Sequence, residues 1–210
     1  MARWPNVPAV YGWLSLSESG QWRLHPQGDA LQHPDSRGED ITSPQILAFM
    51  NRNYGVDDQG RWFFQNGPQR VYVRLDAAPY VAHTTSSSDT DAMKLRTHTG
   101  LDVRDVSRLF LDQAGRLYAA TELGCVLIAG RDLPALLELL KPANAESSDG
   151  IHEALEQCLD SGSSVQVWGA GIQGFPQEPI ILQPCSGVEI EGLLGFQRLP
   201  QPPEGKGGAA

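Results

Sequence analysis

Three arginines and two aromatic residues on one predicted β-hairpin are the strongest candidates for binding chemistry in this sequence. In residues 60–75, GRWFFQNGPQRVYVRL, strand alternation places apolar side chains on one face. It places Arg61, Phe63, Arg70, Tyr72 and Arg74 on the other. Guanidinium groups suit bidentate contact with carboxylates or phosphates, and aromatic rings stack on planar groups. We therefore expect this face to bind an anionic small molecule or a protein partner. The alternative is a solvated strand face on which arginines cover the rings.

A second set of polar residues lies at predicted turns and suits an enzyme. Asn66, Gln69, His98 and Asp102 would meet only if a cleft formed between two units of the chain. This alternative predicts an enzyme of unknown class. A third alternative is a subunit of a larger assembly, in which the apolar stretches CVLIAG and PIILQ form contacts between chains.

A glycine-rich motif follows the strand-like stretch SVQVW. Residues 169–174, GAGIQG, fit the G-x-G-x-x-G pattern of dinucleotide sites, which requires a helix to begin in the loop. Pro176 and Pro179 argue against that helix. We interpret the motif as a glycine-rich connection between strands and predict no cofactor.

Other catalytic and metal-binding patterns are missing from the sequence. The five histidines show no paired spacing, no cysteine lies near a histidine, and Cys185 lacks an identifiable base. There is no G-x-S-x-G or P-loop. We predict no catalytic residues and no metal site.

The net charge and the hydropathy pattern limit the classes of partner that the sequence favours. The net charge of -9 and pI near 4.9 disfavour nucleic acid, which attracts clustered Lys and Arg. No apolar run is long enough to span a membrane, and the start MARWPNVPAVYGW lacks the apolar core of a signal peptide. Three widely spaced cysteines fit reduced thiols. We expect a cytoplasmic protein with an anionic small molecule or a protein as its partner.

The elements that position these residues are mainly strands. Residues 11–16 and 21–24 predict a first hairpin, and Pro44 to Gly55 a capped helix with one apolar face. Strands are predicted over residues 93–98, 101–111, 116–121 and 125–129, and helices over 133–140 and 151–160. The stretches SVQVW and PIILQ predict further strands, and GVEIEGLLGF is a candidate for another.

One stretch of the sequence has a similar second copy further along the chain. Residues 57–79 resemble residues 112–134 at a constant offset of 55, which pairs Gly60 with Gly115 and Arg61 with Arg116. The pattern predicts one supersecondary unit used twice. The alternative is that any two hairpins with such turns look alike. We predict an α+β fold of two related hairpin-plus-helix units with a mostly antiparallel sheet. Its domains are residues 1–83, a linker at 84–92, residues 93–200 and a disordered tail at 201–210.

Several motifs resemble known families. YGWLSLSESGQWRL, ITSPQILAFMNRNY, GRWFFQNGPQRVYV and LRTHTGLDV are similar to a family of uncharacterised proteobacterial proteins known only as a domain of unknown function. The likeness covers about residues 11–135. The motif order is also similar to a second uncharacterised bacterial family, which has two repeated α+β units and a proposed link to signal transduction. The resemblance implies a fold and a general role connected with signal transduction, and it brings no catalytic residues. From the candidate face we expect a cytoplasmic binding or regulatory module.

Overall fold

The computed structural model describes residues 9–86, 92–143 and 150–202. These residues form two compact units. The first comprises residues 9–79 together with 195–202, and the second lies within residues 80–194. The first unit contains one sheet and one helix and the second contains one sheet and several short helices, which confirms the α+β class. Of the predicted linker, residues 84–86 belong to a strand and 87–91 lie outside the described residues, as do residues 203–210 of the predicted tail.

The first unit is a six-stranded sheet with one helix. Its strands lie in the order β3-β2-β1-β6-β5-β4. The elements are β1 Val10–Leu16, β2 Trp22–Leu24, β3 Glu39–Asp40, α1 Pro44–Arg52, β4 Tyr54–Val56, β5 Trp62–Asn66 and β6 Gln69–Leu75.

The second unit is an eight-stranded sheet. Its strands lie in the order β12-β13-β14-β9-β10-β11-β7-β8. The elements are β7 Tyr80–Ser86, β8 Met93–Thr97, β9 Val106–Asp112, β10 Leu117–Thr121, β11 Gly124–Ile128, a 3-10 turn Gly130–Asp132, α2 Leu133–Leu137, β12 Leu140–Pro142, α3 Gly150–Ser161, β13 Val165–Gly169, β14 Ile180–Cys185 and α4 Glu189–Leu194.

Both sheets are mixed, so the prediction of a mostly antiparallel sheet is wrong. Strand β1 pairs with β6 in parallel, and β7 pairs in the same way with β11 and β9 with β14. Each of these pairs joins strands that are far apart in the sequence. Hairpin signals come from adjacent strands and short turns, and for this reason they did not reveal the parallel pairs.

Five strands in each unit follow one plan. The order β2-β1-β6-β5-β4 in the first unit matches β8-β7-β11-β10-β9 in the second, with the same strand directions at every step. This match does not establish that a unit was duplicated, and the duplication stays a prediction.

One turn geometry accounts for much of the sequence similarity between residues 57–79 and 112–134. Ser17, Asp57, Thr97 and Asp112 each begin a turn that places a glycine with positive φ three residues later. In each turn the first side chain accepts a hydrogen bond from the backbone N–H four residues on, at 2.9–3.0 Å. Only glycine adopts that φ without strain, and only a short oxygen-bearing side chain reaches that N–H. The spacing is therefore fixed by turn chemistry.

The helices depart from the sequence prediction in three places. Helix α1 begins at Pro44 as predicted, but Ile46 and Phe49 on its predicted inner face are exposed. Residues 133–140 split into the short α2 and the start of β12. The candidate strand at GVEIEGLLGF is helix α4, capped by reciprocal hydrogen bonds between Ser186 and Glu189.

Candidate functional site

The predicted arginine and aromatic face of β5 and β6 is a stack of rings. Tyr11 stacks on Tyr72 with ring centroids 4.6 Å apart, and Phe63 meets Tyr72 edge-on at 5.8 Å. The guanidinium of Arg70 lies 4.4 Å above the ring of Phe63. Phe63 and Tyr72 are buried, so neither ring presents an open face for a planar ligand, and binding at this face stays a prediction. Their neighbours on the sheet already fill the stacking positions.

Arg61 is held by an internal carboxylate. Its guanidinium donates to Oδ2 of Asp57 at 2.8 and 2.9 Å, and the hydroxyl of Tyr72 donates to the same oxygen at 2.9 Å. Burial alone would raise the pKa of Asp57, but these bonds and two backbone N–H groups lower it below its usual value. The carboxylate is therefore ionised and neutralises Arg61.

Arg74 is a structural residue rather than a surface cation. Its side chain is 3% exposed and pairs with Asp76 at 3.1 Å. It also donates to the backbone carbonyls of Ala30, His33 and Ser36 at 2.9–3.2 Å. These bonds fasten the loop between β2 and β3. Because the loop covers that end of the face, the guanidinium of Arg74 is closed off, and its predicted part in binding stays a prediction.

Arg70 alone among the three arginines keeps an exposed guanidinium with no carboxylate within salt-bridge distance in the described residues. Arg70 alone is a weak anion site, because a single exposed ion pair contributes little binding energy. The predicted bidentate recognition requires several arginines. The face is mainly a structural stack.

Each of the four residues of the predicted cleft makes local contacts within its own unit. Asn66 and Gln69 face each other at the β5–β6 turn of the first unit. In the second unit, Asp102 accepts two hydrogen bonds from Arg96, at 2.6 and 3.2 Å. His98 accepts the N–H of Val81 through Nδ1 at 3.3 Å, and burial lowers its pKa to about 3. A catalytic cleft made of these residues stays a prediction.

The glycine-rich motif borders a hollow within the described residues. It is indeed a connection between strands, since β13 and β14 flank it and no helix begins there. The hollow has a volume of about 790 Å³ and lies entirely within the second unit. Its lining includes Trp168 at the end of β13, Phe175, and Lys94 on β8.

Gly169 makes room for one of these aromatic rings. A Cβ on Gly169 would lie 2.1 Å from Cδ1 of Phe175, so the ring rests directly on the glycine backbone. The indole of Trp168, the preceding residue, is 38% exposed. Part of the indole therefore stays open to solvent at the edge of the hollow that it lines.

The loop that carries the motif is firmly attached. The Met93 N–H donates to Gly171 O at 2.9 Å, and the Gln173 N–H donates back to Met93 O at 2.8 Å. The Val106 N–H donates to Gly174 O at 2.8 Å, and Ile172 is buried. These bonds hold the rim of the hollow in place before any ligand arrives, which lowers the ordering cost of binding.

Lys94 supplies positive charge to the hollow. The nearby carboxylate of Asp102 is engaged by Arg96, whose hydrogen bonds lower its pKa, with a smaller contribution from Lys94. In the described residues no carboxylate lies within salt-bridge distance of Lys94. The sequence analysis missed Trp168, Phe175 and Lys94. The available signal was a tryptophan immediately before a glycine-rich loop that itself ends in phenylalanine.

Two further observations bear on the class of the protein. No helix in the described part of the chain is long and apolar enough to cross a membrane. Within residues 9–86, 92–143 and 150–202, no three His, Cys, Asp or Glu side chains are grouped as metal ligands.

Comparison with known proteins gives a family and distant structural matches. The family model DUF2944, described as "Protein of unknown function (DUF2946)", matches residues 1–200. A crystal structure of a DUF1285 family protein from Silicibacter pomeroyi DSS-3 is 18% identical, with a TM-score of 0.45 over 67% of this chain and 76% of that one. A DUF1285 family protein from Shewanella baltica OS155 is 13% identical, with a TM-score of 0.38 over 57% of this chain and 86% of that one. The search of curated proteins gives no match.

Proposed function

The chain belongs to the DUF2944 family of proteins of unknown function, and we propose that it is a ligand-binding module whose site is the hollow beside the glycine-rich loop of the second unit. We define this aromatic hollow by Trp168, Phe175 and Lys94. The observation that carries the proposal is the placement of an exposed indole, a second ring and a cation around one concave space. Ligand sites combine apolar walls with a few placed polar groups in this way.

The proposal keeps the anionic ligand of the sequence analysis but moves its site. On the β5–β6 face, Arg61 and Arg74 are neutralised by Asp57 and Asp76. In the aromatic hollow the cation faces a space large enough for a small molecule. A regulatory role in signalling would follow if ligand binding altered a partner's affinity, and it is part of the same proposal.

Thermal unfolding against a panel of nucleotides, phosphorylated metabolites and small carboxylates tests this function. A ligand at a hundred times its Kd adds about 2.7 kcal/mol, which raises Tm by about 5–10 °C in a chain of this size. We expect such a shift to be lost in Trp168→Ala. The matched control is Trp13→Ala, because Trp13 is 43% exposed and lies in the other unit. Equal shifts in both variants would overturn the site.

A protein partner on the β5–β6 face is the second candidate. Arg70 over Phe63 and the part-exposed ring of Tyr11 form a strip of residue types that are common in interface hot spots. Capture of a partner by the wild type and not by Arg70→Glu would support this candidate. Capture unchanged by that substitution would remove it.

A further inference from the structure

A second hollow adjoins the aromatic hollow. It has a volume of about 400 Å³, and its lining includes Thr84, Thr85 and Ser86 at the end of β7. The two hollows share Ala92 and Gly171 as lining residues. They are therefore neighbours at the place where β8 is hydrogen-bonded to the glycine-rich loop.

A cross-strand pair connects the two hollows. Thr85 on β7 and Lys94 on β8 are directly opposite each other in the antiparallel register. Side chains of such a pair emerge on the same face of the sheet, with their Cβ atoms about 4.5–5.5 Å apart. Thr85 lines the second hollow and Lys94 lines the aromatic one. The Lys94 ammonium and the Thr85 hydroxyl therefore emerge beside each other on one face of the sheet, where a single anion can contact both.

The hydroxyl of Thr85 differs from its neighbour's in its partners. Thr84 donates its hydroxyl hydrogen to Asp132 at 3.2 Å, and the same carboxylate binds His83 at 2.9 Å. That group fixes the turn before α2 to β7. Within the described residues Thr85 has no such side-chain partner. Its hydroxyl therefore remains available to donate a hydrogen bond to a ligand.

We propose that Lys94 and Thr85 form an anion subsite, and that the ligand of the aromatic hollow is a planar aromatic ring bearing a phosphate or carboxylate group. This inference rests on the proposed function, because the ring must lie against Trp168 and Phe175. Lys94 provides a charge-assisted contact and Thr85 a neutral hydrogen bond. Phosphate and carboxylate share this chemistry, and the two are separated by the choice of probes.

Binding titrations with two matched pairs of probes test the subsite. AMP and adenosine differ by a phosphate, and nicotinate and nicotinamide differ by a carboxylate against an amide. In one of these pairs the anionic member is expected to bind the wild type roughly tenfold to a hundredfold more tightly than its neutral twin. That gain should vanish in Lys94→Gln and shrink roughly threefold to tenfold in Thr85→Val. The pair that shows the gain identifies the anion.

Matched controls separate this inference from the proposed function. Arg52→Gln and Thr42→Val remove a cation and a hydroxyl group at exposed positions outside both hollows, and they should leave every affinity unchanged. If both members of each pair bind equally and Trp168→Ala abolishes binding, the aromatic site stands and the anion subsite is wrong. A gain that persists in Lys94→Gln also overturns the subsite. Failure of all four probes to bind the wild type overturns both proposals.

Discussion

The β5–β6 face of the first unit and the aromatic hollow of the second contain similar residue types in opposite circumstances. On the face, two of three arginines are neutralised and the rings stack on one another. In the hollow, Lys94 and the rings of Trp168 and Phe175 line a space. The difference teaches that charge and aromaticity indicate a binding site only where neighbouring groups have not already satisfied them.

Two sets of hydrogen bonds give the β5–β6 face a structural role. Arg74 fastens the β2–β3 loop, and a C-terminal segment inserts where β5 and β6 separate. The Gln197 N–H donates to Gly60 O, and the Leu75 N–H donates to Arg198 O, each at 2.9 Å. Residues 195–202 therefore hold this end of the hairpin, and the arginines beside them serve folding.

The largest expected effect comes from Arg74→Ala. The substitution leaves three carbonyls without their donor and Asp76 without its buried partner. We expect a loss of about 3–5 kcal/mol in the free energy of unfolding. Chemical denaturation measures it, with Arg70→Ala as the control at under about 0.5 kcal/mol. Equal costs for the two substitutions would contradict the contrast between buried and exposed arginine.

Replacement of the turn aspartates compares the two units directly. Asp57→Ala and Asp112→Ala each remove an acceptor for two backbone N–H groups and an arginine partner. We expect about 2–3 kcal/mol of destabilisation for each, measured by denaturant melts. Asp→Asn at either position keeps the backbone bonds and should cost less. A negligible loss of stability at one position would show that this turn stabilises only one of the two units.

Gly169→Ala tests how the hollow is built. The added Cβ meets the ring of Phe175, and Gly169 has no positive φ, so the effect is purely steric. We expect about 1–3 kcal/mol of destabilisation and loss of ligand binding as the ring is displaced. Thermal unfolding with and without ligand measures both. Gly130→Ala is the control, because a Cβ there meets nothing within 4 Å and its φ is not positive.

The last expected effect is a pH dependence from His98, which is absent well above pH 6.5 and grows as the pH falls. Its pKa falls from 6.5 to about 3 because burial and then His83 disfavour the charged ring. Above pH 6.5 both states are neutral and the full stability is present. As the pH falls below 6.5 the unfolded chain binds the proton first, so stability drops by about 1.4 kcal/mol per pH unit.

Unfolding measured between pH 6.5 and 5 isolates this effect from the aspartates, whose pKa values lie lower. His25, whose pKa is also lowered, chiefly by burial, adds to the slope. His98→Asn should reduce the slope by the contribution of about one proton, because the unfolded chain then has one histidine fewer to protonate. An unchanged slope in that variant would show that His98 does not titrate as described.

Local signals predicted much of the fold. Pro44 marked the start of α1, and glycines at fixed spacing marked the hairpin turns, because these depend on backbone chemistry within a few residues. The capping box of Ser186 and Glu189 was present in the sequence, but the β-branched residues around it favoured a strand. Here a cap outweighed strand propensity.

The candidate site was less predictable because it depends on distant segments. Alternation separated the two faces of β5 and β6, but it did not reveal that the β2–β3 loop and residues 195–202 cover the arginine face. The contact of Phe175 with Gly169 and the register of Thr85 with Lys94 are set by tertiary packing and strand pairing. No spacing in the sequence encodes them.

The most direct test of the account is a titration of the tightest-binding probe into Arg70→Glu and Lys94→Glu side by side. Both substitutions reverse one charge, one on the β5–β6 face and one in the aromatic hollow. Arg74 is excluded because its substitution would destabilise the first unit and so would not test binding alone. We predict wild-type affinity in Arg70→Glu and a loss of roughly a hundredfold or more in Lys94→Glu. Retained affinity in Lys94→Glu with loss in Arg70→Glu would return the site to the face and contradict the account.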